Sequence, residues 1–295
     1  MKTSFQRITT KDNFELAGLL YEPEIQAKKV LVHVHGMAGN FYENKFLDVI
    51  AETLTSNGIA FFAFNNRGCE LIKDLYKIEN GKRNIVRVGN AYEIFEDSAL
   101  DIRSAIDFVS SKGFSEIHLS GHSLGASKVA NYVAEENDTR LSSVIFLSPS
   151  DMVGLTKMDK NYERDLSTAK EMVAQGKGDE LLPFPVLWDQ SPLSAKTYIS
   201  LGDKDSKVAI FNFHNAEDSL PVLSKIAIPT LALMGTKDDA LVVPIEETMS
   251  RLKKALSGSP RVEAVVLGDA DHGYNNYEQQ LADAINIWIQ KNDTK

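Results

Sequence analysis

Five consecutive residues, Gly121-His122-Ser123-Leu124-Gly125, constrain the fold of this chain more than any other segment. An alternating segment precedes them at 116–120, and apolar residues follow at helical spacing up to residue 135. The pattern Gly-x-Ser-x-Gly between a strand and a helix predicts a sharp turn that exposes the serine hydroxyl at a sheet edge. Glycine suits a turn that leaves no room for a Cβ atom. Ser123 is therefore a candidate nucleophile, and the alternative is a plain glycine-bounded turn capped by this serine.

The composition indicates an ordinary globular protein and excludes several other classes. The 295 residues are 43% hydrophobic and 25% charged, and no apolar stretch is long enough to span a bilayer. The first residues lead into strand-like sequence without an apolar signal core, and a single cysteine, Cys69, suits a reducing compartment. A net charge of −9 argues against nucleic-acid binding. We expect a soluble, cytoplasmic protein, either a monomer or a homodimer.

Strand-like and helical patterns alternate along most of the chain. Strands are predicted at 5–9, 14–21, 30–35, 59–64, 143–147, 230–234 and 262–267, and helices at 46–54, 95–109, 245–256 and 281–289. This alternation predicts an α/β fold with a mostly parallel sheet that is covered on both faces. The alternation stops between 151 and 225. We therefore expect a core formed by 1–150 and 226–295, with 151–225 inserted as a cap at the carboxyl ends of the strands.

A nucleophilic serine needs a base, and His272 is the histidine best placed to serve as one. It lies in the loop 268–273, directly after the last predicted strand. The other five histidines lie in strands, in the glycine-bounded turn or in the insertion: His33, His35, His118, His122 and His214. The alternative for His272 is an exposed loop histidine without a function.

The acid that orients this base should follow an earlier strand. Asp238 and Asp239 come just after the strand at 230–234, and we choose Asp238, with Asp239 in reserve. Adjacent aspartates are also common in turns, and Asp151, after the preceding strand, is a weaker alternative. The resulting chain order is serine, aspartate, histidine.

Backbone amides can stabilise the oxyanion that forms when a serine attacks an acyl carbon. The loop after the strand at 30–35 contains glycine, and the expected donors are the amides of Met37 and Leu124. His33 and His35 share a strand face, but no carboxylate or cysteine cluster accompanies them. The sequence therefore predicts neither a metal site nor a cofactor.

Two segments bear on the substrate. Asn80-Gly81 between alternating segments predicts a hairpin at 75–88, placed over the mouth of the site, where Lys82, Arg83 and Arg87 would meet an anionic substrate. The cap supplies four aromatic residues for an apolar acyl pocket: Phe184, Trp188, Phe211 and Phe213. The alternatives are a solvated hairpin and a cap that uses its aromatic residues as its own core.

With these residues in place, the chain resembles an α/β-hydrolase of the serine-esterase type. The matching segments are His35-Gly36, Asn66-Arg67-Gly68, Gly121 to Gly125, Gly235-x-x-Asp238 and Asp271-His272-Gly273. The resemblance implies an eight-stranded, mostly parallel sheet with a cap after the sixth strand. Asn65 departs from the aspartate that many relatives carry there, at a position that is usually structural. The segments 88–97 and 148–151 are also similar to a little-characterised subgroup that includes fungal siderophore esterases.

These observations lead to the hypothesis of a carboxylic-ester hydrolase that forms an acyl-enzyme on Ser123. His272 would be its base and Asp238 would orient that base, with a small-molecule ester as substrate. One alternative is the same triad acting on a thioester, amide or carbon–carbon bond, or in acyl transfer. The other is a binding protein that uses the fold without catalysis.

Overall fold

The predicted eight-stranded sheet is present in the computed structural model, which describes residues 1–291. The strands are β1 (Lys2–Thr9), β2 (Glu15–Glu22), β3 (Lys29–Val34), β4 (Ala60–Phe64), β5 (Lys73–Glu79), β6 (Lys82–Val88), β7 (Glu116–His122), β8 (Leu141–Leu147), β9 (Thr230–Gly235) and β10 (Val262–Leu267). The strand order in the sheet is β1-β2-β4-β3-β7-β8-β9-β10, and β5 and β6 form a separate hairpin. The expected α/β-hydrolase architecture is thereby confirmed.

Helices cover both faces of this sheet. They are α1 (Lys45–Ser56), α2 (Ser98–Ser111), α3 (Leu124–Glu136), α4 (Met152–Lys157), α5 (Tyr162–Ala174), α6 (Ala195–Gly202), α7 (Pro221–Ser224), α8 (Ile245–Ala255) and α9 (Glu278–Lys291). Apolar residues of α2, α3 and α8 pack in the core on one face, and those of α1 and α9 pack on the other. Within residues 1–291, no helix combines the length and the apolar character that crossing a bilayer requires.

The sheet brings the loops with candidate residues to one edge. β3 pairs in parallel with β4 and β7, and β7, β8, β9 and β10 continue the parallel pairing. The carboxyl ends of parallel strands meet at one edge of the sheet, so the loops after β3, β7, β8, β9 and β10 lie together. Helices α4 to α7 lie between the sixth and seventh strands of the sheet, and the boundaries 151–225 for a cap stay a prediction.

The hairpin predicted around Asn80-Gly81 is confirmed, but it packs against β2, at the antiparallel end of the sheet. Asn80 and Gly81 have φ angles of 51° and 74°, as a tight hairpin turn of this kind requires. Lys77 forms a β-bridge with Phe14, and the guanidinium of Arg83 pairs with Glu15 on β2 at 2.6 Å. These contacts hold the hairpin against the antiparallel end of the sheet.

A buried arginine joins three parts of the core. Arg67, just after β4, donates to the carboxylate of Asp101 on α2 at 2.8 Å and to Asp12 in the β1–β2 turn at 3.0 Å. The side chain of Asp101 is fully buried, and burial raises its pKa even though Arg67 opposes that shift. Removing one partner of such a buried pair costs far more than the pair contributes, because it leaves an unpaired charge in the interior.

We predict that Arg67→Met lowers the free energy of unfolding by about 3–5 kcal/mol, since Asp101 then stays buried without its partner. Urea unfolding at neutral pH measures this loss. The control is Arg87→Met, which removes an exposed pair with Asp74 and should leave the unfolding midpoint unchanged. The double variant Arg67→Met, Asp101→Leu should recover part of the stability. Similar losses in the two single variants would contradict the prediction.

Candidate active site

The turn at Ser123 has the strained geometry that its sequence predicts. Ser123 has φ 56° and ψ −126°, a conformation that a side chain disfavours, and it directly precedes α3. A Cβ atom at Gly121 would lie 2.1 Å from the carbonyl oxygen of Gly125. A Cβ atom at Gly125 would lie 2.3 Å from the carbonyl oxygen of Val34 on β3. Only glycine permits these two close approaches, which fix Ser123 at the edge of the sheet.

His272 and Asp238 are hydrogen-bonded to each other at the same edge. The Nδ1 atom of His272 lies 2.8 Å from Oδ1 of Asp238, which also accepts the amide N–H of Ala240 at 2.9 Å. Burial opposes ionisation of Asp238, but the hydrogen bond and charge of His272, together with hydrogen bonds from Ala240 and Ser148, outweigh burial and lower the pKa of this carboxyl. An ionised Asp238 accepts a hydrogen bond from the protonated Nδ1 of His272, so the unprotonated Nε2 is the nitrogen that can act as a base. Asp239, the reserve candidate, is exposed and stays outside this pair.

Ser123 and His272 line one cavity of about 330 Å³. We call it the serine cavity; its lining residues are Met37, Ser123, Ser150, Met152, Leu155, Thr156, Leu187, Trp188, Asp239, Ala240 and His272. Within residues 1–291, the Ser123 hydroxyl pairs with Oγ of Ser150 at 3.3 Å rather than with the His272 ring. The Oγ of Ser150 also lies 3.3 Å from the carbonyl oxygen of Ser148, and either hydroxyl can be the donor of the Ser123–Ser150 pair. A rotation about the Ser123 Cα–Cβ bond would redirect the Ser123 hydroxyl.

The loop after β3 touches Ser123 and is held by a buried histidine. A Cβ atom at Gly36 would lie 2.9 Å from Cβ of Ser123. His35 donates from Nδ1 to the Gly36 carbonyl at 2.9 Å, and its Nε2 accepts the N–H of Asn66 at 3.1 Å. In a trans peptide the carbonyl and the next N–H point in opposite directions, so His35 also orients the N–H of Met37. Among the described residues, this N–H has no acceptor.

Two residues that the sequence did not predict as part of the site, His122 and Ser150, contact His272 and Ser123. His122 donates from Nε2 to the backbone carbonyl of His272 at 2.8 Å, and the two rings lie 4.8 Å apart. Ser150 is buried and contacts the Ser123 hydroxyl. Both residues neighbour positions that the sequence did single out, Ser123 and Asp151, but local sequence does not show which way their side chains point.

The structure places the other sequence-predicted residues as follows. Trp188 lines the serine cavity, whereas Phe184 lies under the guanidinium of Arg164 at 4.2 Å. Arg83 pairs with Glu15, and Arg87 pairs with Asp74 at 3.0 Å. The structure thus corrects the expected placement of the hairpin, whose basic residues do not reach the serine cavity because the hairpin folds back along β2.

Three further candidates from the sequence, Asp151, Phe211 and Phe213, form contacts elsewhere. Asp151 caps α4 by accepting a hydrogen bond from the N–H of Gly154 at 2.7 Å. Its carboxylate is also hydrogen-bonded to Nδ1 of His214 at 2.8 Å. Phe211 and Phe213 are buried and pack on each other, as residues of a core do. None of these three candidates lines the serine cavity.

The donor atoms of Asp238, Asp239 and His272 lie within 4.8 Å of one another, a spacing that could hold a metal ion. Two of the three are already joined by the 2.8 Å hydrogen bond between His272 and Asp238. A metal at this position would have to displace the contact that orients the base. The donor set therefore fits an acid–base pair better than a metal centre.

Four buried histidines lie in β3 or β7, or directly after β3. Burial lowers the pKa of all four; that of His33 falls well below 6.5, and those of His35, His118 and His122 fall to about 3. The unfolded chain binds protons on these side chains below about pH 6.5, but the folded chain does not until the pH is far lower. Their contribution to stability is therefore complete above about pH 6.5 and is lost as the pH falls.

We predict that the free energy of unfolding falls steeply between pH 6 and pH 5, with uptake of about four protons on unfolding. Urea unfolding across this range measures the slope. His118→Gln keeps a hydrogen-bonding group near Ser143 but cannot titrate, and should reduce the uptake by about one proton. A variant with the slope of the original protein would show that His118 does not contribute.

Comparison with known proteins places the chain in a family and supports its fold. Residues 91–290, more than half of the chain, match the family described as "Protein of unknown function (DUF1749)". Among solved structures, the chain is similar to Est1E from Butyrivibrio proteoclasticus with ferulic acid bound, at 19% identity and a TM-score of 0.67, covering 98% of this chain and 100% of that one.

Two further structures share this fold. The alpha/beta hydrolase GrgF from Penicillium sp. sh18 is 14% identical with a TM-score of 0.71, and the match covers 99% of both chains. The esterase Pf2001 from Pyrococcus furiosus is 16% identical with a TM-score of 0.62, covering 98% of this chain and 91% of that one. At such identities these likenesses establish the α/β-hydrolase fold.

Proposed function

The chain belongs to the DUF1749 family, and from this premise and the geometry of its site we propose that it is a serine hydrolase of carboxylic esters. The observation that carries the proposal is the pairing of His272 with Asp238 in a cavity that also contains the hydroxyl of Ser123. A strained serine, a base and an acid that orients the base are the parts that nucleophilic catalysis requires.

The reaction begins when the Ser123 hydroxyl turns from Ser150 toward Nε2 of His272. His272 takes the proton as Ser123 attacks the acyl carbon, and the ionised Asp238 stabilises the resulting imidazolium. The pKa of Asp238 lies below its ordinary value, so this carboxyl is negative at neutral pH. The imidazolium then protonates the leaving alcohol, and a water molecule activated by His272 releases the acid from the acyl-enzyme.

Two backbone N–H groups are available for the oxyanion of the tetrahedral intermediate. Those of Met37 and Leu124 have no acceptor within residues 1–291. Met37 lines the serine cavity, and Leu124 directly follows Ser123 at the start of α3. Donors that are held in place before the reaction cost no reorganisation when negative charge develops. The hydrogen bond from His35 to the Gly36 carbonyl supplies this rigidity for Met37.

The serine cavity suits an ester with a compact apolar group. Six of its eleven lining residues are apolar, in a volume of about 330 Å³: Met37, Met152, Leu155, Leu187, Trp188 and Ala240. A cavity of this size lies at the lower end of ligand sites. Ferulic acid, a small carboxylic acid, is bound in the similar structure of Est1E, which is consistent with a small ester as substrate.

We predict that Ser123→Ala abolishes hydrolysis of a short p-nitrophenyl ester, with a loss of at least about 10⁴-fold in kcat, because no nucleophile remains. The same variant should no longer be labelled by a fluorophosphonate probe. Its urea unfolding midpoint should match that of the original protein. Retention of half the activity by a folded variant would refute the proposal.

We predict that Asp238→Asn lowers kcat by about 10³- to 10⁴-fold, because an amide favours the wrong tautomer of His272. Asp239→Asn is the matched comparison, since it removes the same charge from the adjacent position. It should retain at least about a hundredfold more activity than Asp238→Asn, because Asp239 lies outside the hydrogen bond to His272. Steady-state kinetics on one neutral ester decide the point, and the reverse order would assign the role to Asp239.

A further inference from the structure

The serine cavity contains one acidic residue, and neither lysine nor arginine, among its described lining residues. The acidic residue is Asp239, which lies in the loop after β9, directly after Asp238, and has an exposed side chain. Its carboxylate forms no ion pair or hydrogen bond within residues 1–291, and it lies within 4.8 Å of a donor atom of His272. The nearby cation Lys237 pairs instead with Asp269 at 3.0 Å. Asp239 therefore presents an uncompensated negative charge beside the reacting centre.

An exposed tryptophan lies in the lining of the same cavity. Trp188 is 50% exposed, and Leu187, Trp188 and Asp189 all have φ angles between 53° and 60°. Three successive left-handed residues are costly for side chains other than glycine. The backbone N–H of Trp188 donates to the carboxylate of Asp159 at 2.6 Å, and the N–H of Ser191 donates to the carbonyl of Val186 at 2.9 Å across the turn. The protein thus maintains a strained backbone in which this indole stays partly in solvent, as is common for a ligand clamp.

We propose that the serine cavity selects esters that carry a positive charge, as an ammonium or guanidinium group, close to the ester bond. The inference rests on the proposed function, which it extends to a substrate class. A carboxylate attracts such a group directly, and the face of an indole ring attracts a cation within about 6 Å. The apolar lining from Met152 and Leu155 then contacts the alkyl part of the same group. This choice of charge is opposite to the anionic substrate that the hairpin sequence suggested.

The test compares p-nitrophenyl esters whose acyl chains end in trimethylammonium, in its uncharged isostere tert-butyl, or in carboxylate. A second series carries the same three groups on the alcohol side. At low ionic strength we expect kcat/KM for the cationic ester to exceed that for the tert-butyl ester by about fivefold to tenfold in one series. The carboxylate ester should be the poorest substrate of the three.

Substitutions then assign the preference to the residues named. Asp239→Asn should bring the ratio of cationic to neutral kcat/KM close to one, and Asp239→Lys should reverse it in favour of the carboxylate ester. Trp188→Leu should reduce the ratio while keeping an apolar side chain. The control is Glu52→Gln, which removes one exposed negative charge on α1, outside the serine cavity, and should leave all kinetic constants unchanged.

The outcomes separate this inference from the proposed function. If the neutral ester is hydrolysed through Ser123 but neither series shows a preference for the cation, the inference is overturned and the proposed function stands. A preference that survives in Asp239→Asn also overturns it. If no ester is hydrolysed, the proposed function fails, and calorimetry with choline and its uncharged isostere dimethylbutanol then tests the charge preference alone. Equal affinity of the two alcohols would overturn the inference there as well.

Discussion

The whole site depends on the close approach of two backbone segments beside Ser123. Gly121 and Gly125 bring β7 and α3 together, and Gly125 also lies against the carbonyl of Val34 on β3. Because neither position has space for a Cβ atom, the turn between them is forced into a tight, left-handed geometry at Ser123. Backbone packing thereby fixes the position of Ser123 relative to the central strands. The other groups of the candidate site are arranged around this serine.

The groups around Ser123 are held by neutral histidines. His35 must donate from one ring nitrogen to Gly36 and accept on the other from Asn66, which only the uncharged ring can do. Burial and the nearby ammonium group of Lys128 lower the pKa of His35 and keep it uncharged. Lys128 itself is buried and paired with Glu93 at 2.5 Å. The loop after β3, which carries the proposed oxyanion donor Met37, is thus rigid only while His35 stays unprotonated, so acid weakens the fold and the candidate site together.

Local sequence predicted the sheet and the candidate triad because both depend on short-range pattern. The periodic patterns of strands and helices are visible within a few residues. Because loops after parallel strands meet at one edge of the sheet, the sequence also predicted that Asp238 and His272 lie near Ser123. The hairpin was predicted as an element but misplaced, because its position depends on the contact between Arg83 and Glu15, 68 residues apart. Ser150 was missed for the same reason, since only the folded chain shows that its hydroxyl meets Ser123.

The proposed function and the proposed charge preference assign catalysis and selectivity to different parts of the chain. Ser123, Asp238 and His272 all follow strands of the sheet, so their arrangement is tied to the most buried part of the molecule. Trp188 belongs to a turn between α5 and α6, and the contact that fixes it is with Asp159, which lies after α4. A change in that turn can therefore alter which group enters the serine cavity without moving the proton relay. Asp239 adjoins the relay itself, so the charge of the cavity is set by the core and its shape is set by the inserted helices.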